Sequence, residues 1–550
     1  MSTPTSRGMV VAITAVSAMA LPTVSTVTAG AAPASGKPVL AASTPASGGP
    51  TGSPPGSPAP PPGDSPITPE ARAFGQSIKV VRVKRHLELL QEIADGNGDT
   101  RASGTPGYDA SVTYVADWLR AAGYRVTLQE FTFPFFRNVT FPLFRRIISN
   151  VAKPYINNTD FRTVTYSGSG NVRARVQGVD LTLPPAPKPS STSGCQARDF
   201  ARFVRGNIAL IQRGSCSFQT KAERARAAGA SGVIIFNEGQ AGEGVDDRRG
   251  LVNGSLDTPT VKIPVISTTY AVGRELSARG TIVTLVTDTE SDPHRATRNI
   301  IAESDWGDPN RVVMLGAHLD SVPDGPGIDD DGSGVASILE TALAAKNLRA
   351  RNKLRFAFWS CHEFGLLGSK HYLAGLSPAE KANIRLYLNF DVIASPNHVL
   401  GIYDGDDSDR AGAPAGPPGS DRIEKFFQSY FTETGRPYRS VDAAIRSDYG
   451  PFAASGIPSG GLFTGTVDIK TAKEAVLFGG QAGVAYDPCY HLRCDTIVNI
   501  SDTALGLNSG AIATAAFVHA RTDDLPGGSV PGGATGPVSG GHLVATDVFK

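Results

Sequence analysis

The sequence predicts an α/β protein: a mixed, mostly parallel central sheet flanked by helices, with a second, smaller α/β region inserted into it. Three observations carry this. After Arg298 the apolar runs NIIAES, RVVMLGAHLD, LRFAFWS and LYLNFDVI alternate with helical stretches such as GVASILETALAAKNLRA, the pattern of βαβ units. Over residues 141–290 the texture changes, and NIALIQRGSCSFQTKAERARAAGASGVIIFNEG reads as strand, basic helix, Gly-rich turn and apolar strand. At 550 residues the chain is also long enough to bury more than one core.

Taken in order, residues 1–31 read as a secretory signal. Arg7 supplies the positive start, MVVAITAVSAMAL the apolar run, and Ala29, Gly30 and Ala31 the small-residue cleavage site. That run falls short of the roughly 20 apolar residues a membrane span needs. Residues 32–70 are dominated by Pro, Gly, Ser and Ala; such a segment cannot bury enough surface to offset chain entropy, and reads as a disordered linker or propeptide. The main domain then opens over 71–140 with a helical pattern from Ser77 (IKVVRVKRHLELLQEIADG), a second helix (YDASVTYVADWLRAAG) and the alternating strand YRVTLQEFTF. The insert follows over 141–290, and its lack of histidines or a nucleophile motif argues against catalysis there. The main domain resumes over 291–523, and 524–550 is a Gly-rich tail expected to be disordered.

Lys plus Arg is 52 and Asp plus Glu is 51, so no global field favours nucleic acid or an acidic membrane. The expectation is an exported protein, free of membrane once the signal is removed. Five cysteines suggest two pairs, Cys489 with Cys494 and Cys195 with Cys216, as exported proteins can keep. Cys361 is left over and reads as a small buried core residue.

In sheets of this kind chemistry gathers at the carboxyl ends of the strands, and His318, Glu363 and Asp391 all lie at or just beyond such ends. GAHLDSV, GIDDDGSG, HEFG with NFDVI, and CYHLRCDT supply metal-type donors. Carboxylates and imidazoles suit zinc, and two zinc ions sharing one carboxylate can activate a water between them. His318 with Asp391 could hold one ion, Glu363 with His491 the other, and Asp330 could bridge. Asp320, two residues from His318 and on the same side of the strand, is the natural carboxylate partner for a ligating imidazole. A competing reading takes DDDGSGVASILE as a calcium loop of EF-hand type, with Asp329, Asp331, Ser333, Gly334 and Glu340 in place. That loop needs a helix before it, and the prolines and glycines of HLDSVPDGPG exclude one.

At these residues the chain resembles the co-catalytic zinc aminopeptidases of the M28 family, in the secreted actinomycete style. The resemblance covers about residues 78–133 and 298–521 and rests on GAHLDSVPDGPGIDDDGSGVASILE, LYLNFDVIASPN, RSDYGPFAASGIPSGGLFTG and DPCYHLRCDTI. The insert resembles a protease-associated (PA) domain. The resemblance implies a zinc exopeptidase fold holding two zinc ions and acting on peptide or protein N-termini. By position, His318, Asp330, Asp391, Glu363 and His491 would be the ligands, with Asp330 bridging and Asp320 orienting His318. Tyr490 would stabilise the oxyanion, Arg446 would lie near the substrate end, and a Cys489–Cys494 disulfide would stiffen the loop carrying Tyr490 and His491.

One position departs from that pattern. Members of the family carry two adjacent glutamates before the Leu-Gly or Phe-Gly step; the second is Glu363, and the first, the general base, is His362 here. His362 could serve as the base, bind zinc and rearrange the site, or leave an enzyme without its base, a loss typically worth roughly 10²–10⁴ in rate. The implied function is therefore a secreted zinc-dependent aminopeptidase, with a pseudopeptidase or peptide-binding protein as the alternative. Glutaminyl cyclisation, which related folds perform with one zinc, fits poorly with five ligands. Gly506 and Gly510 in SDTALGLNSGAIATAAF, where some relatives place acidic residues, predict no calcium there.

Overall fold

The computed structural model describes residues 67–242, 247–410, 415–442 and 447–528. These fall within one compact unit. The signal segment, nearly all of the 32–70 linker, most of the Gly-rich tail and Arg446 lie outside the described residues.

The main domain starts slightly earlier than expected. A helix spans Pro69–Ser77, with Pro69 in its first turn and the Thr68 side chain accepting the Ala71 N–H, a proline-and-cap start. The next helix, Val80–Asp95, begins three residues after Ser77, and the third is Pro106–Ala121. At the other end the domain runs past 523: Leu525 is buried and the Gly527 N–H donates to the Arg385 carbonyl at 2.9 Å.

The main sheet has eight strands in the spatial order Arg125–Asn138, Thr289–Glu303, Asn352–Trp359, Asp308–His318, Ile384–Phe390, Ser459–Phe463, Gly401–Tyr403 and Arg439–Val441. The Asp308–His318 strand lies parallel to both of its neighbours, Ile384–Phe390 is parallel to Ser459–Phe463, and Gly401–Tyr403 is parallel to Arg439–Val441. The remaining pairings are antiparallel, so the sheet is mixed as expected. The two-residue alternation of the strands assigns them to two cores. Val313, Leu315, Phe356 and Leu388 face helices Val80–Asp95, Gly332–Ala345 and Asp502–Arg521. Met314, Ala357, Trp359 and Tyr387 face the opposite layer with Tyr372 and Phe452.

The insert is a second eight-stranded sheet built from strands between Leu143–Ile148 and Ile282–Thr287 in sequence, with parallel neighbours Ile208–Gln212, Gly232–Phe236 and Val265–Thr268 toward the edge formed by Phe161–Thr163. Cys195 and Cys216 are bridged within it. The strands on either side of the insert, Arg125–Asn138 and Thr289–Glu303, pair antiparallel down to Asn138 opposite Thr289. The chain therefore leaves and re-enters the main sheet at adjacent points, and the insertion leaves the main sheet's order intact.

This topology sets the site. His318 pairs with Trp359 and Gly316 with Asn389, so three parallel strands end on one rim. The helix Gly332–Ala345 starts hard against that rim. A Cβ on Gly334 would stand 2.0 Å from the Phe390 carbonyl oxygen. Gly334→Ala is expected to push the helix start off the strand end, destabilising the fold by about 1–3 kcal/mol or more, read as a lowered urea midpoint.

Candidate metal centre

His318 is the last residue of its strand. Its main-chain N–H donates to Asp331 Oδ2 at 3.0 Å, and its Nδ1 donates to the Asp320 main-chain carbonyl at 2.9 Å. That fixes the ring with Nε2 facing Asp330 Oδ1 at 3.1 Å and Asp391 Oδ1 at 3.4 Å. The Asp320 carboxylate, expected from the sequence to orient His318, lies farther off, 3.8 Å from Nδ1. It accepts instead the N–H groups of His362 at 3.2 Å and Glu363 at 3.3 Å, because the tight turn after Trp359 aims both at it. Asp320 orients His318 through its carbonyl and the 362–363 turn through its side chain.

Asp330 stands between two imidazoles, with Oδ1 toward His318 and Oδ2 3.1 Å from His491 Nε2. Glu363 Oε2 is 3.3 Å from the same His491 nitrogen, and Asp391 Oδ2 accepts from the Ser447 hydroxyl. His491 and Tyr490 lie inside the loop closed by the Cys489–Cys494 disulfide, their rings stacked with centroids 3.9 Å apart. His491 itself has φ 59°, Cys361 beside His362 has φ 55°, and Val392 beside Asp391 has φ 57°. Left-handed backbone at non-glycine residues costs of order 1–3 kcal/mol each and collects at functional sites. Here it is held by buried bonds, among them the Cys361 N–H to Ser103 Oγ and the Thr464 hydroxyl to the Val392 carbonyl.

His362 is the departure seen in sequence. Its Nδ1 is 2.8 Å from Asp448 Oδ2, its ring stacks on His318 with centroids 3.8 Å apart and planes at 12°, and its Nε2 is 3.8 Å from Asp391 Oδ2. Asp448 Oδ1 in turn accepts from the Ser369 hydroxyl.

The ionisable groups of the centre shift one another strongly. Burial pushes the His318 pKa down, but Asp391 and Asp330 overcome it and hold it well above the usual imidazole range. For His362, burial and His318 push downward and Asp448 and Asp391 prevail, raising it to about 9. His491 is raised against burial by Glu363 and Asp330. Burial favours the protonated form of Asp330, yet the two imidazoles hold its carboxyl well below the carboxylate range. The cluster draws positive charge to its centre. Asp330 Oδ2 and Glu363 Oε1 are buried there without a hydrogen bond, and His318, Asp330 and Glu363 form one candidate metal triad while His318, His362 and Asp391 form another. A set of imidazoles and carboxylates spaced this way, with orphaned oxygens facing inward, fits zinc.

Several supporting residues escape sequence reasoning. Asp331 and Asp448 are fully buried acceptors, and Asp495 accepts the N–H groups of Asp329 and Asp330. Arg101 is fully buried and donates to the carbonyls of Leu319, Pro326 and Gly327, the loop leading to Asp330. In sequence it is one arginine between two helical patterns. Asp329 accepts from the Ala394 N–H, and residues 319–328 form no helix, which disposes of the EF-hand reading. Arg446 lies outside the described residues.

A mixed sheet presenting these donors on the rim of its parallel strands defines a metallohydrolase. The model of Peptidase family M28 matches residues 299–516, and that of the PA domain matches 179–276. An aminopeptidase of Pseudomonas aeruginosa is 46% identical over 440 residues, covering 79% of this chain and 80% of that protein. The probable lipoprotein aminopeptidase LpqL of Mycobacterium tuberculosis is 40% identical over 466 residues, covering 83% of this chain and 88% of that protein. In fold, the chain is similar to BSAP, a zinc aminopeptidase from Bacillus subtilis, with TM-score 0.54 and 22% identity over 81% of this chain and 96% of that one. The chain belongs to peptidase family M28 and is a metallo-aminopeptidase carrying an inserted PA domain.

The raised imidazole pKa values fix a pH dependence for the metal-stripped protein. A group whose folded pKa lies above its unfolded value stabilises fully below about 6.5 and loses that contribution as pH rises through the folded value, about 9 for His362. Thermal unfolding of chelator-treated protein should show the midpoint falling between those two pH values, and zinc should remove most of the fall.

Proposed function

We propose that this enzyme is an exported, zinc-dependent aminopeptidase that removes residues from peptide or protein N-termini. In this reading His318 and Asp391 would hold one zinc ion, Glu363 and His491 a second, and Asp330 would be shared. The observation that carries it is the placement of Asp330, one oxygen 3.1 Å from His318 Nε2 and the other 3.1 Å from His491 Nε2. Zinc, when bound, supplies Lewis-acid polarisation of the scissile carbonyl and a more acidic water.

The chain's own groups do the rest. The carboxylates of Asp330, Glu363 and Asp391 attract a substrate ammonium, favouring a free N-terminus. Burial, then the charges of Asp330, Glu363 and Asp391, raise the Tyr490 phenol, which keeps its proton and can donate it to the developing oxyanion. Glu363 Oε1, without a hydrogen bond of its own, can accept one from the attacking water. The insert borders the same rim: the Phe141 ring lies 4.5 Å under the Arg493 guanidinium of the disulfide loop, and Arg162 attracts Asp324 of the loop after His318. A module so placed narrows access to chain ends.

Export is supported by the signal-like residues 1–31 and by two disulfides.

Purified protein should hold about two equivalents of zinc and cleave aminoacyl p-nitroanilides. It should leave the N-acetylated analogue intact and lose activity to chelation. Protein that neither holds zinc nor takes it up would overturn the reading. A second reading, a peptide-holding protein with impaired turnover, is favoured by one observation: His362 occupies the position of the family's base with Nδ1 tied to Asp448. His362→Glu should then raise kcat by roughly 10²–10⁴, whereas a fall in the variant would make the imidazole itself functional.

A further inference from the structure

We propose that His362 is a metal ligand, its Nε2 completing the position framed by His318, Asp391 and Asp330, and that Asp448 is the positioning residue that aims it. The proposal rests on the two-zinc reading above and concerns what distinguishes this chain within that reading.

His362 and His318 are dressed alike. In each the Nδ1 side is occupied by an oxygen, the Asp320 carbonyl at 2.9 Å for His318 and the Asp448 carboxylate at 2.8 Å for His362. Each therefore presents Nε2 as its free donor. Metal-bound imidazoles almost always carry such a partner on the other nitrogen, because it fixes ring and tautomer and makes the donor more basic. Asp448 is itself locked: it is 1% exposed, and its second oxygen accepts from Ser369. The near-parallel stack of His362 on His318 sets the two rings face to face.

The spacing also fits. Donors about 2.0–2.1 Å from a tetrahedral zinc stand roughly 3.3–3.5 Å apart. The pairs here are 3.1 Å for His318 Nε2 with Asp330 Oδ1, 3.4 Å for His318 Nε2 with Asp391 Oδ1, and 3.8 Å for His362 Nε2 with the other Asp391 oxygen, Oδ2, and one donor atom from each of His318, His362 and Asp391 lies within 4.8 Å of the others. Small side-chain adjustments close the set. Four donors make a closed position of the kind structural zinc sites use, whereas catalytic positions keep a place open. The neighbouring position, with Glu363, His491 and the shared Asp330, has three donors, and the His491 side chain is 41% exposed against 0% for His318 and 12% for His362. The two positions are then unequal. One is buried, closed and tight; the other faces solvent and takes the substrate.

The test uses the full chain, stripped by a chelator and titrated with zinc against a chromophoric competitor, with X-ray absorption to count imidazoles per ion. Wild-type protein should show one tight and one weaker site, with three imidazoles shared between two ions. His362→Ala should weaken the tight site by about 100-fold, and Asp448→Asn by about 10–100-fold, with little change at the weaker site. His491→Ala should weaken only the weaker site. Circular dichroism of the stripped proteins checks folding, and His362→Gln replaces the alanine variant if that does not fold. A tight site within about threefold of wild type in His362→Ala or Gln, or equal weakening of both sites, would overturn the proposal. Wild-type protein that binds no zinc would instead defeat the two-zinc reading itself, so the two failures are distinct.

Discussion

The carboxylate of Asp331 is the joint on which the centre depends. One oxygen accepts the N–H of His318, ending the central strand; the other accepts the Gly334 N–H at the start of a helix and the Val392 N–H beyond the next strand. One fully buried side chain thereby fixes three chain segments that approach from different directions. Asp330 directly precedes it, and Asp391 directly precedes Val392. Because Asp331 is spent on these bonds, it holds the frame while the residues on either side of the turns face the cavity.

The same device recurs around the rim. Asp320 gathers the N–H groups of His362 and Glu363, and Asp495 those of Asp329 and Asp330. Burying so many acids is costly unless each is bonded and the charge is balanced. Arg101 provides part of that balance: fully buried, it is pushed down to about 10 by burial while Asp495, Asp320, Asp331 and Asp330 pull it back up. It also grips three carbonyls of the loop before Asp330. Bound zinc would add to that balance.

The fold was legible because its signals are local. Apolar runs at strand length, helical periods between them and a change of texture at the insert need no knowledge of partners, and they give the mixed sheet with its second domain. The donor residues were legible for a different reason, since His318, Asp330, Glu363, Asp391 and His491 sit in long motif segments. What could not be read was which oxygen of Asp320 does what, or that Asp448 would meet His362 from 86 residues away. Those facts belong to turns whose backbone enters the left-handed region at Cys361, Val392 and His491. None of the three is glycine, asparagine or aspartate, so composition gives no hint of it. The ends at Thr68 and Leu525 moved by a few residues because a cap and one buried leucine outweighed the composition around them.

Cys361 lies fully buried against Phe133 and Phe135, aromatic residues of the strand that leads into the insert. A chain that closes two disulfides while leaving a fifth sulfur reduced has to keep that thiol out of exchange. Here the aromatic wall does so: burial against it pushes the Cys361 thiol well above its usual range, which keeps it protonated and out of reach of the other four sulfurs.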